Sequence, residues 1–332
     1  MPVRLSPGLD LPGLSRPRTL RGARLLMQHR QRVITAQDRW EQQPCQAGDG
    51  RYSLVLDGWL SDRAALAASL NEPITQADSM LLLAAIIRWG PQAAARCRGN
   101  FAFAAWDDHA GRLLLGCDAL GQRVVYYHTT PAQIWFASTF RDLLAQPDIE
   151  RRINPEILAD LLVATRFNRS ETLWHGISKV EAGTVVALTE QGQQTHRYWQ
   201  PTAEPPIPPA SDATAVETMR ALLENAVAAH LDYDGPKAAT LTGGLDSSAL
   251  AIQAAHLLAP DPLLTLTAIP VPGRPQFLGN NRYADETAAV QAIADGIPTL
   301  TPQFVEPDLD RMAHGDDRLF AITSKPQRLG VQ

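Results

Sequence analysis

Cysteine is scarce in this chain: Cys45, Cys97 and Cys117 are the only three in 332 residues. An odd count without metal-type spacing argues against a disulfide framework and fits a reducing compartment. Long apolar runs are missing too, so no stretch reads as a transmembrane helix, and the opening Met1-Pro2-Val3-Arg4-Leu5-Ser6-Pro7 lacks the apolar centre of a signal peptide. The cytoplasm is the expected location. Nor is there an excess of positive charge. Thirty Lys and Arg stand against 35 Asp and Glu, a net charge of −5, which gives no electrostatic case for nucleic acid or an anionic membrane as partner. The eight histidines are scattered singly, without ligand spacing. What is present is a globular composition, 45% hydrophobic and 20% charged, over a length that accommodates two domains.

The most specific pattern is Thr242-Gly243-Gly244-Leu245-Asp246-Ser247-Ser248. It lies where the apolar run Ala238-Ala239-Thr240-Leu241 gives way to Ala249-Leu250-Ala251-Ile252. A strand, a Gly-Gly turn and a helix start in that order make an anion cradle. The glycines let the backbone bend and approach a phosphate, and the helix start presents unpaired N–H groups and the positive end of its dipole. The hydroxyls of Ser247 and Ser248 can donate to phosphate oxygens, and Asp246 offers a hard oxygen ligand for Mg²⁺. The bland alternative is a structural turn with polar caps. A Walker loop is excluded, because the turn holds no lysine and does not end in Gly-Lys-Ser/Thr.

Five prolines in nine residues, Pro201 to Pro209, mark a stiff connector, and we place a linker at 201–212 between a domain over 1–200 and another over 213–332. After it, Thr214-x-x-Glu217 resembles a capping box, and Val216, Met219, Leu222, Leu223, Ala226, Val227 and Leu231 follow at helical spacing, predicting an amphipathic helix over 213–231. Helix, strand, loop and helix open a parallel α/β domain whose ligand is expected at the carboxyl end of the strand. Before the linker, short strands are predicted at 52–56, 101–106, 112–115, 124–127 and 134–137, with helices at 63–70 and 80–89. That series suggests an α+β domain of stacked antiparallel sheets.

The phosphate-loop pattern resembles the pyrophosphate-binding loop of the asparagine synthetase family, with Thr242 where that family carries serine. The resemblance extends through residues 50–200. Arg88-Trp89-Gly90, Gly99-Asn100-Phe101-Ala102-Phe103-Ala104-Ala105-Trp106-Asp107, Asp118 through Tyr127 and Phe136-Ala137-Ser138-Thr139 follow its amidotransferase-domain pieces in order. It implies an αββα N-terminal domain of stacked antiparallel sheets, of the Ntn type, followed by an incomplete parallel-sheet ATP-pyrophosphatase domain. It implies ATP and Mg²⁺ as ligands, Thr242 to Ser248 as the ATP and pyrophosphate grip, Asp246 as the metal carboxylate, and Leu241, Leu266 and Thr267 as contacts along the adenine strand. The implied reaction activates a carboxylate with ATP, releasing pyrophosphate, and then AMP as an amine attacks.

Departures from the family pattern carry their own expectations. Glutamine-hydrolysing members open with a cysteine whose thiol attacks the glutamine amide; here Pro2 stands in that place, and the glutamine-binding signature Asn-Gly-Glu has become Asp57-Gly58-Trp59. Cys97 and Cys117 lie in strand-like patterns and are expected to be buried, so no glutaminase activity is expected. Asp285-Glu286 opens a helix, as dipole partner or as neighbour to the nucleotide. The substrate is expected to be a small-molecule or peptide carboxylate. Leu56 to Arg63 is similar to the branch that closes lasso-peptide macrolactams, where a peptide precursor is the partner; a catalytically incomplete module that docks a peptide or protein is the third expectation. The family's later acidic loop and α-phosphate lysine find no counterpart in Phe304 to Gln332, so weak ATP binding, without turnover by this chain alone, is expected together with uncovered apolar faces on a short parallel sheet.

Overall fold

A strand buried on both faces loses the apolar–polar alternation that marks a half-exposed one, and residues 101–106 are such a case. The computed structural model describes residues 17–163, 170–202, 211–270 and 285–306, apart from positions 32, 34, 36 and 234. They fall into two compact units, residues 17–202 and 211–306. Most of the proline-rich connector (203–210) and the final stretch 307–332 lie outside the described residues, as do Met1 and Pro2.

The first unit opens with a hairpin of β1 (Arg18–Arg21) and β2 (Leu26–His29). Then come β3 (Cys45–Gln46), β4 (Tyr52–Leu60), α1 (Arg63–Leu70), α2 (Asp78–Trp89), β5 (Gly99–Asp107) and β6 (Arg112–Cys117). They are followed by β7 (Tyr126–Thr129), β8 (Ile134–Ala137), α3 (Phe140–Leu144) and α4 (Pro155–Leu162). Last are β9 (Ser178–Lys179), β10 (Thr184–Thr189) and β11 (Gly192–Arg197). Six of these strands make one antiparallel sheet in the order β11-β10-β6-β5-β4-β3, and β8-β7-β9 make another.

Period-two side-chain direction turns those sheets into layers. Phe101, Phe103 and Ala105 of β5 pack against Leu66 of α1 and Leu81, Leu82 and Ala85 of α2. Their neighbours Ala102, Ala104 and Trp106 join Leu113, Leu115 and Val186 against Tyr127, Ile134 and Phe136 of the second sheet. The opposite side of that sheet, Tyr126 and Trp135, meets Phe140, Leu143 and Leu144 of α3. The result is the helix–sheet–sheet–helix stack expected from the sequence. Two carboxylates brace it. Asp107 takes a two-point ion pair from Arg51 at 2.9 and 3.0 Å. Asp118, fully buried, accepts the amides of Leu120, Gln122, Arg123 and Phe101 at 3.0 to 3.3 Å, which shapes the turn after β6.

Some expected boundaries move. The strand expected at 124–127 is instead β7 at Tyr126–Thr129, because the Thr130–Gln133 turn fixes Thr129 opposite Ile134, and Thr139 caps α3 straight after β8. The hairpin β1–β2 and the strands β3, β9, β10 and β11 were not legible. β11 is a polar edge, Gly192-Gln193-Gln194-Thr195-His196-Arg197, defined only by its pairing with β10.

The second unit runs α5 (Asp212–Leu231), β12 (Ala238–Thr240), α6 (Leu245–Leu258), β13 (Leu263–Ala268), α7 (Thr287–Gly296) and β14 (Leu300–Val305). Its strands form a parallel sheet in the order β12-β13-β14. The cap of α5 is Ser211, whose hydroxyl accepts the Thr214 amide at 3.2 Å; Thr214 is therefore inside the helix rather than its cap, and the expected capping box is displaced by a turn. Val227 at the end of α5 joins Leu241, Ala251, Ala255, Leu263, Val290 and Leu300 in the core. Val216, Met219 and Leu222 at its start are more than half exposed. Along β13, Leu263, Thr265 and Thr267 are buried while Leu264 and Leu266 face outward, so one sheet face stands uncovered among the described residues. Parallel sheets are ordinarily covered on both faces.

One buried acid gives the first unit a pH signature. Asp78 begins α2, accepts the Leu60 amide at 2.8 Å and lies 2.9 Å from Arg63 Nε, close but not aligned for a hydrogen bond. Burial raises its pKa from 3.8 to about 6, against the pull of the Leu60 amide and Arg63. A raised folded-state pKa means that the proton is bound on folding. Its contribution is full below the unfolded value and is lost as pH rises through about 6. Asp78→Asn should flatten the stability–pH curve between 3.8 and about 6, read by urea unfolding at stepped pH; an unchanged slope there would contradict the assignment.

Candidate phosphate-binding site at the start of the second parallel unit

The site begins with how β12 ends. The Leu241 amide donates to the Leu266 carbonyl at 3.0 Å, carrying the ladder one residue past β12, and the buried Thr267 hydroxyl donates to the Leu241 carbonyl at 2.7 Å. Both polar groups of Leu241 are thereby engaged and its side chain is fully buried. Of the three adenine-strand candidates, Leu266 alone presents an exposed side chain; Leu241 and Thr267 face the core. The chain then leaves the sheet through Thr242-Gly243-Gly244 and enters α6 at Leu245.

Gly244 is the residue before the helix, with φ −76° and ψ 151°, and no side chain caps the helix start. Among the described residues, the amides of Gly243, Leu245, Asp246 and Ser247 meet no protein acceptor. Leu245 is 89% exposed and Asp246 projects into solvent, so the start of α6 is open. Unpaired amides at the positive end of a helix dipole form an anion site of ordinary kind. The hydroxyls are arranged otherwise than the sequence suggested. Ser248 Oγ donates to the Gly244 carbonyl at 2.7 Å, and Ser247 Oγ lies 2.7 Å from Thr242 Oγ1, so both serine hydroxyls are engaged within the loop.

The glycines also serve a purpose the sequence did not reveal. Neither Gly243 nor Gly244 has a positive φ. What Gly243 supplies is absence of volume: a Cβ there would lie 3.1 Å from Ala289 Cβ and 3.7 Å from Glu286 Oε1. The first turn of α7 therefore packs directly against the turn and brings the Glu286 carboxylate beside it. Asp285, one residue before the N-cap Glu286, accepts the Thr287 amide at 2.9 Å, and the Thr287 hydroxyl and amide hold its carboxyl below the usual range. So of the two acids that open this helix, Asp285 is the dipole partner and Glu286 is the neighbour of the loop. No group of three or more metal-ligating side chains occurs among the described residues.

The first unit holds all three thiols of the chain. Cys45, Cys97 and Cys117 are all buried and unpaired, and burial pushes their thiols up to about 11, about 12 and about 12. Asp57, in the altered signature, lies 3.5 Å from Arg123, and Gly58 at φ 127° has no room for a Cβ against the Asn100 carbonyl. An open groove of about 590 Å³ on this unit is lined by Trp40, Gln42, Thr75, Gln76, Ala77 and Met80, none of them an acidic, basic or thiol side chain.

Residues 18–199, more than half of the chain, match the family described as a glutamine amidotransferase domain, and residues 218–320 match asparagine synthase. The chain belongs to the asparagine synthetase family. It is 29% identical over 211 residues to glutamine-hydrolysing asparagine synthetase 3 of Bacillus subtilis (strain 168), covering 62% of this chain and 34% of that protein. To asparagine synthetase 1 of the same organism it is 28% identical over 283 residues, covering 83% of this chain and 44% of the relative. The chain thus spans less than half the length of these synthetases. A B. subtilis glutamine phosphoribosylpyrophosphate amidotransferase structure, complexed with ADP and GMP, aligns over 79% of this chain and 73% of its own at 14% identity and a TM-score of 0.33, too distant to carry an argument. In this synthetase-family member no helix of the described residues is long and apolar enough to cross a membrane.

Two outcomes follow from this geometry. Gly243→Val should cost about 1–3 kcal/mol by displacing α7, and Gly243→Ala less than about 1 kcal/mol, read by chemical denaturation; equal, negligible effects would remove the close approach of α7 as the reason for glycine. The three thiols should resist iodoacetamide at pH 8 until the protein unfolds, because the thiolate is the reactive form and burial suppresses it. A fast-reacting cysteine in the folded chain would contradict that.

Proposed function

We propose that this chain carries the nucleotide-gripping part of an ATP-dependent amide ligase that works without hydrolysing glutamine. The observation that supports the reading is the open start of α6: four unpaired amides and an exposed Asp246, placed directly after a parallel strand. A carboxylate is a poor acyl donor, because it lacks a good leaving group. In the proposed reaction its oxygen attacks the α-phosphorus of ATP, the bond to the bridging oxygen breaks, and pyrophosphate departs. An amine then attacks the acyl carbon and AMP leaves.

The residues of this chain would act on the departing group. The amides of Gly243, Leu245, Asp246 and Ser247 would take up the growing charge on the pyrophosphate oxygens, without reorganisation since they are already fixed by the turn. Asp246 would hold Mg²⁺, which when bound neutralises phosphate charge and improves the leaving group. The exposed Leu266 would border the base.

Glutamine independence rests on the three buried, deactivated thiols, which also fit a reducing, cytoplasmic setting. The amine would then be free ammonia or a group already on the substrate. A macrolactam synthetase acting on a peptide carboxylate is the second reading. It draws support from Asp57-Gly58-Trp59, where an aspartate paired with Arg123 stands in place of the family's Asn-Gly-Glu. A module that only docks a peptide or protein is the third.

Asp246→Ala separates the ligase readings from the docking one. It should weaken Mg²⁺-dependent binding of pyrophosphate at least about tenfold by calorimetry, since it removes a charged metal ligand. Unaltered binding would leave docking as the surviving reading.

A further inference from the structure

The hydroxyl of Thr242 lies at the centre of the loop's internal hydrogen bonds. Its Oγ1 accepts the Gly244 amide at 3.1 Å and lies 2.7 Å from Ser247 Oγ. Ser247 Oγ in turn accepts the amide of Thr242 at 3.2 Å. These contacts span the turn and tie the last residue of the strand side to the first turn of α6. They also bear on Gly244, where a Cβ would approach Thr242 Oγ1 to 3.2 Å, so the contact is tight on that side as well. Thr242 is half-buried, whereas Gly243 to Asp246 are exposed.

We propose that Thr242 is a positioning residue: its hydroxyl clasps the Gly-Gly turn to Ser247 so that the amides of Gly243, Leu245, Asp246 and Ser247 stay directed at one anion. The inference rests on the phosphate-binding reading of this loop and deepens it, because it moves Thr242 from ligand contact to loop clasp. The chemistry is specific to a hydroxyl on this residue. Serine retains both the donor and the acceptor, whereas valine keeps the branched shape and has neither. Without the clasp, the Gly244 amide loses its acceptor and the two glycines regain freedom that binding must then remove.

The test uses the full 332-residue chain and inorganic pyrophosphate with Mg²⁺ as probe. Thr242→Val should raise the dissociation constant about tenfold, the loss of one or two hydrogen bonds that fix a binding loop, and Thr242→Ser should restore it. In the ligand-free protein the Gly244 amide should exchange slowly and shift in the nitrogen–proton spectrum of Thr242→Val but not of Thr242→Ser. A rescue confined to the hydroxyl variants is not produced by a general loss of packing. Equal binding by the unaltered protein and Thr242→Val overturns the clasp and leaves the phosphate site standing. Absence of pyrophosphate binding by the unaltered protein overturns both. Should Thr242→Val fail to fold, rapid exchange of the Gly244 amide in the unaltered protein would by itself overturn the clasp.

Discussion

The unpaired amides at the start of α6 are the constraint on which the functional reading depends. Polar groups left without partners are costly when buried and useful when exposed to an anion. This chain keeps them exposed by ending β12 firmly and turning at once into a helix. Leu241 is tied by both its amide and its carbonyl, so the strand cannot extend into the loop. Gly244 supplies no capping side chain, so the helix start has no internal substitute for a ligand.

Close approach, rather than backbone contortion, accounts for Gly243. α7 lies against the turn because nothing projects from it, and the same contact brings Glu286 to the loop. A helix that both packs on the loop and lends it a carboxylate couples the order of residues 285–296 to the shape of the anion site. In the first unit the corresponding economy is in carboxylates. Asp107 and Asp118 each gather several donors, whereas Asp78 has one amide and a misaligned arginine, and burial raises its pKa. Among the described residues of that unit each thiol is buried, Cys45 and Cys97 in the core that includes α2 and Cys117 in the core between the sheets.

The uncovered face of the parallel sheet and the exposed start of α5 belong together physically. Leu264 and Leu266 point outward from β13 while Val216, Met219 and Leu222 show that the apolar stripe of α5 is only half used. Apolar area left in water contributes nothing to stability, at about 25 cal/mol per Å² forgone. The core of this unit therefore rests on one layer, where Val227, Leu241, Ala251, Val290 and Leu300 meet.

By itself the sequence determined the parts governed by local chemistry. The phosphate-loop pattern, the helices at 63–70 and 213–231, the strand that carries Phe101 to Trp106 and the burial of Cys97 and Cys117 all follow from residue type and period. Tertiary structure alone decided what depends on distant partners. β11 is a strand because β10 pairs with it, and Ser211 rather than Thr214 caps α5 because the helix begins one turn earlier. Likewise, the Thr242 and Ser247 hydroxyls bond to each other, Ser248 Oγ donates to the Thr242 and Gly244 carbonyls, and Glu286 meets a loop distant from it in the chain, because a fold brings together groups that no spacing rule connects.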